Sequence, residues 1–62
     1  MPYIQVRLAG ELSREQKQQI VDEMTATMER VAGKPREYVI INFEETREEN
    51  WGWGGQLLDT LE

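Results

Sequence analysis

The chain contains no cysteine and no histidine. Without cysteine there is no disulfide framework, no thiol nucleophile and no clue to a redox compartment. Without histidine the familiar Ser–His and Cys–His pairs are excluded, and a zinc site would have to be built from carboxylates alone. No glycine-rich phosphate loop precedes a helix, and the Trp51–Gly55 run does not match a dinucleotide fingerprint. Neither a metal nor a cofactor is therefore expected. No apolar run approaches the roughly 20 residues that a membrane span requires, and no charged-then-apolar leader opens the sequence. A cytoplasmic protein without membrane association is the default expectation. Seven basic residues against twelve acidic ones leave a net charge of −5. Nucleic acid is thus not an expected partner, because phosphates call for a clustered basic surface. A small anionic substrate stays open, since local arginines can outweigh a global sign.

What is present is short and strongly patterned. The 62 residues allow one domain, spanning 1–62. A domain of about 60 residues buries only roughly 60% of the surface its unfolded chain exposes. Such domains often need a disulfide, a metal or a partner subunit. With the first two unavailable, self-association is the expected staple.

Residues 2–9 alternate: Ile4, Val6 and Leu8 share one face with Pro2, while Tyr3, Gln5 and Arg7 share the other. Period-two alternation predicts a strand. Gly10-Glu11-Leu12 breaks it. Ser13, the only serine, reads as an N-cap, and Gln16 completes a capping box. Ile20, Val21, Met24, Met28, Val31 and Ala32 follow at helical spacing, which predicts a helix over 13–32. Gly33 and Pro35 end it. Residues 38–44, with Val39, Ile40 and Ile41 at their centre, predict a second strand buried on both faces, as in a parallel pair. Residues 46–50 read as a polar loop. Trp51-Gly-Trp-Gly-Gly55 reads as a small hairpin or bent segment, and 56–62 as a short tail. The fold class is α/β, one right-handed βαβ unit with a short C-terminal hairpin.

A lone βαβ unit leaves a sheet edge and a sheet face uncovered. The uncovered face is expected to be apolar through Ile4, Val6 and Ile40. Two copies paired edge to edge would still expose it, so more than a dimer is expected.

Pro2 is the one residue with unusual chemistry. It follows the initiator Met and is small, which favours removal of Met1. The product is a free secondary amine attached directly to a strand. An ordinary α-amino group titrates near about 7.7–8.0, and burial or a nearby cation lowers that value. An amine titrating near the working pH is an effective general base. The structural alternative is that Pro2 merely starts a strand. With Met1 retained, its nitrogen is a tertiary amide and has no basic lone pair.

Met-Pro-Tyr-Ile at the start, Ser-Arg-Glu-Gln-Lys17 at the helix start, Gly33-Lys-Pro35 after it and Asn50-Trp-Gly-Trp-Gly-Gly55 near the end resemble the short-chain 4-oxalocrotonate tautomerase family. The resemblance runs through nearly the whole chain. It implies a tautomerase-like βαβ subunit in a homohexamer built as a trimer of dimers. It also implies cofactor-free, isomerase-type proton transfer by Pro2 between keto and enol forms of an unsaturated or aryl 2-oxo acid. The aromatic pocket residue of the family matches Trp51, for which a core or interface role is the alternative. Trp53 reads as structural.

The two substrate-binding arginines of the family fall on Leu12 and Ile40. Neither side chain can bind a carboxylate or polarise a carbonyl, and loss of a bidentate charged partner is not minor. Arg36, in the loop entering the second strand, is a candidate replacement that could reach a neighbouring pocket in an oligomer. Arg7 and Arg14 are weaker candidates. Tyr38 and Asn42, expected on one strand face with Ile40, are candidate hydrogen-bond donors to substrate. Two other outcomes follow from the missing arginines. One is a hydratase-type reaction with Glu44 or Glu45 positioning water. The other is a non-catalytic oligomeric homologue.

Overall fold

The computed structural model describes residues 1–61. Strand β1 (Tyr3–Ala9) leads to helix α1 (Arg14–Ala32), strand β2 (Ile40–Thr46) and the short strands β3 (Gly52–Trp53) and β4 (Gln56–Leu57). Single 3-10 turns occupy Arg36–Tyr38, Glu48–Asn50 and Leu58–Thr60. β1 and β2 pair in parallel, from Tyr3 opposite Ile40 to Ala9 opposite Thr46. β3 and β4 pair antiparallel. This is the expected α/β unit with a C-terminal hairpin.

Local chemistry accounts for the helix and the hairpin. Ser13 Oγ accepts from Gln16 N at 3.1 Å, and Gln16 Oε1 accepts from Ser13 N at 2.9 Å. This reciprocal cap satisfies two of the orphan donors at the helix start. At the other end Gly33 takes φ 67°, where a Cβ would be strained. Its N–H meets Glu29 O, the bond of an αL ending, and that of Lys34 meets Met28 O. Gly54 and Gly55 have φ 58° and 86°, the positive pair that a type I′ hairpin turn demands.

Two expected boundaries move. β2 starts at Ile40 rather than Tyr38 and continues to Thr46 rather than Glu44. Pro35, with φ −59°, opens a 3-10 turn in which Tyr38 N donates to Pro35 O at 3.1 Å. Tyr38 therefore does not lie on a β2 face with Ile40 and Asn42. The expected tail also gains structure, because Gln56–Leu57 form β4 and Leu58–Thr60 a 3-10 turn. Glu62 lies outside the described residues.

The two sheet faces also differ from expectation. Register places Ile4 beside Ile41, Val6 beside Phe43 and Leu8 beside Glu45. The five apolar residues of this set are half-buried, and Lys17 of α1 reaches Glu45 at 2.7 Å, so this is the face α1 covers. The uncovered face carries Tyr3, Gln5, Arg7, Ile40, Asn42 and Glu44. It is a polar ladder, not an apolar one: Gln5 donates to Asn42 at 3.1 Å and Arg7 pairs with Glu44 at 3.0 Å. Only Ile40 of the three residues expected there is on it. Opposite-charge and amide pairs directly across strands stabilise a sheet that faces water or a partner.

One chain by itself is an open plate. Among the described residues no hydrophobic side chain is fully buried, and the single buried residue is Thr25. The radius of gyration is 14.9 Å, against roughly 11 Å for a globular domain of this length. The accessible surface is 5030 Å², against roughly 4,200 Å² for a monomer of 7.3 kDa. Val31, expected in the inward stripe of α1, is 69% exposed. No helix among the described residues is long and apolar enough to cross a membrane.

Candidate functional site

Pro2 stands immediately before β1. Its carbonyl oxygen accepts from Ile40 N at 3.0 Å, which extends the parallel ladder by one rung and fixes the residue against β2. Its nitrogen carries no hydrogen for the ladder. Removal of Met1 turns that nitrogen into a secondary amine held at a sheet end. Around it the polar candidates are sparse. Ile40 is 46% exposed and offers only an aliphatic chain. Tyr38, in the 3-10 turn, is about half exposed, with its hydroxyl unpartnered among the described residues. Arg36 is taken up by the helix, with Asp22 at 2.9 Å and Glu29 at 3.7 Å. Asn42 is paired with Gln5 within the ladder.

The opposite end of the sheet is more heavily bonded. Gly10 N donates to Thr46 O at 2.8 Å, closing the strand pair. The Leu12 N–H donates to Glu45 Oε2 at 2.7 Å, while Lys17 Nζ reaches Glu45 Oε1 at 2.7 Å. The bond from Lys17, then the one from Leu12 N–H, hold the Glu45 carboxyl below its ordinary range, because both favour the charged form. Glu45 thus pins the β1–α1 turn that carries Leu12. The half-buried Trp51 donates from Nε1 to Thr46 Oγ1, and Thr46 Oγ1 donates to Leu8 O at 3.1 Å. This chain of bonds sets the plane of the indole ring. A hollow of about 340 Å³ opens beside it, lined by Arg7, Glu44, Thr46, Asn50 and Trp51.

One chain therefore does not bring the expected site together. Ile40, Tyr38 and Arg36 lie toward the Pro2 end, whereas Leu12 and Trp51 lie at the Thr46 end. Seven strand residues separate the two, a span of roughly 20 Å. No side-chain rotamer bridges that gap. Arg14 joins neither group and borders a hollow along α1 with Lys17, Gln18 and Val21.

Three contributions escaped sequence reasoning: Glu45 as an anchor, Thr46 as the support of Trp51, and Arg7 with Glu44 as neighbours of Trp51. The first had a signal. Glu45 falls on the inward parity of Ile41 and Phe43, where a charge needs a partner. The others depend on register, which a parallel pair hides from local sequence.

The sequence model of the tautomerase enzymes matches residues 2–60. A probable tautomerase from Helicobacter pylori is 30% identical over 64 residues, covering 98% of this chain and 94% of that protein. The 2-hydroxymuconate tautomerase of Bacillus subtilis is 27% identical over 62 residues, covering the whole of both chains. A solved 4-oxalocrotonate tautomerase isozyme from Methylibium petroleiphilum superposes with a TM-score of 0.85 at 32% identity, covering 97% of each chain. With the βαβ frame, a proline at its open end and a match of this extent, the chain belongs to the tautomerase family.

Proposed function

We propose that this chain, working as one unit over 1–62, is a cofactor-independent tautomerase in which Pro2, freed by removal of Met1, is the general base. It moves a proton between the keto and enol forms of a small unsaturated or aryl 2-oxo acid. The observation that carries this reading is the position of Pro2. Its carbonyl is clamped by Ile40 N while its nitrogen is left for chemistry, in a family named for proton transfer. No histidine is present to compete for the role.

The working form is a homo-oligomer, a homohexamer arranged as a trimer of dimers. The open shape of one chain, with no buried apolar side chain among the described residues, supports association. So does the gap between Pro2 and Trp51, since the Trp51 end of one copy can close over the Pro2 end of another. An indole there excludes water and lowers the proton affinity of the amine.

The test is intact mass followed by a keto–enol assay on the same sample, with sedimentation to give the assembled mass. The expected result is a chain lacking Met1, in an assembly several times 7.3 kDa, with turnover that rises with pH through one ionisation. Full activity in a sample that retains Met1, or a folded monomer at micromolar concentration, defeats the reading.

A water-adding reaction is the second reading, and one observation favours it. Glu44 lines the hollow beside Trp51, whereas Glu45 is held by Lys17 and Leu12. Activity on an activated alkene that falls with Glu44→Gln, in a sample inert toward enols, would select it.

A further inference from the structure

Three arginines are candidates to replace the cations missing at Leu12 and Ile40, and the structure separates them. Arg36 is tied to Asp22 and Glu29 on the helix, and Arg14 lies along α1 in a hollow with Lys17, Gln18 and Val21, away from Trp51. Arg7 alone among the arginines shares a hollow with Trp51. Its Nε and Nη2 both bond one oxygen of Glu44, Oε2, at 3.3 and 3.0 Å. Nη1 of Arg7 and the second oxygen of Glu44 have no hydrogen-bond partner among the described residues. The pair is half exposed, with side-chain exposures of 58% and 45%. The hollow thus presents a cation with donors to spare, an anion beside it and an indole wall. Its volume of about 340 Å³ suits a small organic acid.

We propose that the Arg7–Glu44 pair is the specificity element of the site and selects 2-oxo acids bearing a single carboxylate. Arg7 donates through Nη1 to a carboxylate or carbonyl oxygen of the substrate, whose carbon chain lies against Trp51. Glu44 keeps Arg7 in place and repels a second carboxylate. The local charge of the pair is zero, where two unpaired arginines would favour a dianion. The inference rests on the proposed Pro2 reaction for its context, but binding can be measured apart from turnover.

A matched pair of ligands tests it. 2-Oxopentanoate and 2-oxoglutarate share a five-carbon 2-oxo acid chain and differ by a terminal methyl against a terminal carboxylate. Calorimetric titration of the assembled, Met1-processed protein is expected to favour 2-oxopentanoate by about tenfold, the size of one charged contact. Glu44→Gln is expected to shrink that ratio severalfold by tightening 2-oxoglutarate. Arg7→Gln is expected to weaken both acids, with Arg7→Lys between it and the parent. Sedimentation at the parent mass shows that each variant still assembles. An unchanged ratio in Glu44→Gln, unchanged affinities in Arg7→Gln, or no binding of either acid at millimolar concentration overturns the proposal. The expected binding pattern without Pro2-dependent turnover would defeat the tautomerase reading and leave this assignment standing. Pro2-dependent turnover with unaltered binding ratios would do the reverse.

Discussion

The two ends of the β1–β2 sheet are built in different ways. At the Pro2 end a single backbone bond, from Ile40 N to Pro2 O, holds the proposed base. Apart from Tyr38, the surrounding side chains are aliphatic or already engaged, as Ile40 and Arg36 illustrate. At the Thr46 end a network of charged and hydroxyl groups joins Glu45, Lys17, Leu12 N, Thr46 and Trp51. The first end suits a basic nitrogen, because few fixed acceptors compete for the proton it takes up. The second suits recognition, because its groups are held in place before a ligand arrives. About 20 Å of strand keeps them apart within one chain, so under the proposed function reaction and recognition meet where two copies meet.

The sharpest way to break this division is at Pro2. Pro2→Ala leaves a primary amine on a more flexible backbone and should lower turnover by about 10²–10⁴-fold, the usual worth of a general base. Retention of Met1 should be more severe, because it removes the basic nitrogen altogether. Steady-state assays on samples sorted by intact mass measure both. Equal activity in all three forms would place the base elsewhere.

Subunit mixing tests whether the two ends act in trans. Pro2→Ala and Trp51→Ala chains are each expected to be impaired as pure oligomers. Mixed after reversible unfolding at equal amounts, they should recover about a quarter of parent activity, the random frequency of sites pairing an intact Pro2 with an intact Trp51 from different copies. No recovery in oligomers shown by mass spectrometry to be mixed would put both residues in one copy's site.

Restoring cations sharpens the contrast. Ile40→Arg places a guanidinium on an exposed position beside Pro2 and should improve dicarboxylate turnover about tenfold, mainly through KM. Leu12→Arg should gain less, because Glu45 lies beside the Leu12 backbone and would capture the new charge from Lys17. A larger gain from Leu12→Arg would show that Glu45 does not capture the new guanidinium.

The smallest expected effect concerns Glu45. Its folded-state carboxyl titrates below its ordinary value of 4.5, because Lys17 and Leu12 N–H stabilise the anion. A depressed carboxylate contributes stability that is fully present above the unfolded value and is lost as pH falls through the folded one. Melting temperature should therefore decline below pH 4.5, and Glu45→Gln should flatten that decline while lowering the plateau at neutral pH. An identical acid limb in Glu45→Gln would assign it to other carboxylates.

The helix was legible because its signals are local. Ser13 with Gln16, the apolar spacing from Ile20 to Met28, and Gly33 before Pro35 each act within a turn or two. The first strand was legible for the same reason. The second was misplaced by two residues because Val39, Ile40 and Ile41 look like a strand wherever the register starts, and only Pro35 and its 3-10 turn reveal the delay. Tyr38 was lost from the β2 face with it. The uncovered sheet face is polar, not apolar as the alternation alone suggests, because the parity of Ile4 and Val6 matches Ile41 and Phe43 under α1.

The sequence by itself determined the elements and their order, pointed to association and singled out Pro2 as the proposed base, because capping, periodicity and the place of a proline are properties of neighbouring residues. The tertiary structure alone decided which side chains meet. A parallel pair leaves register free in the sequence, since its strands are joined by a long crossover and not by a tight turn. That register put Glu45 under Lys17, Arg7 across from Glu44, and Trp51 at the far end of the sheet from Pro2.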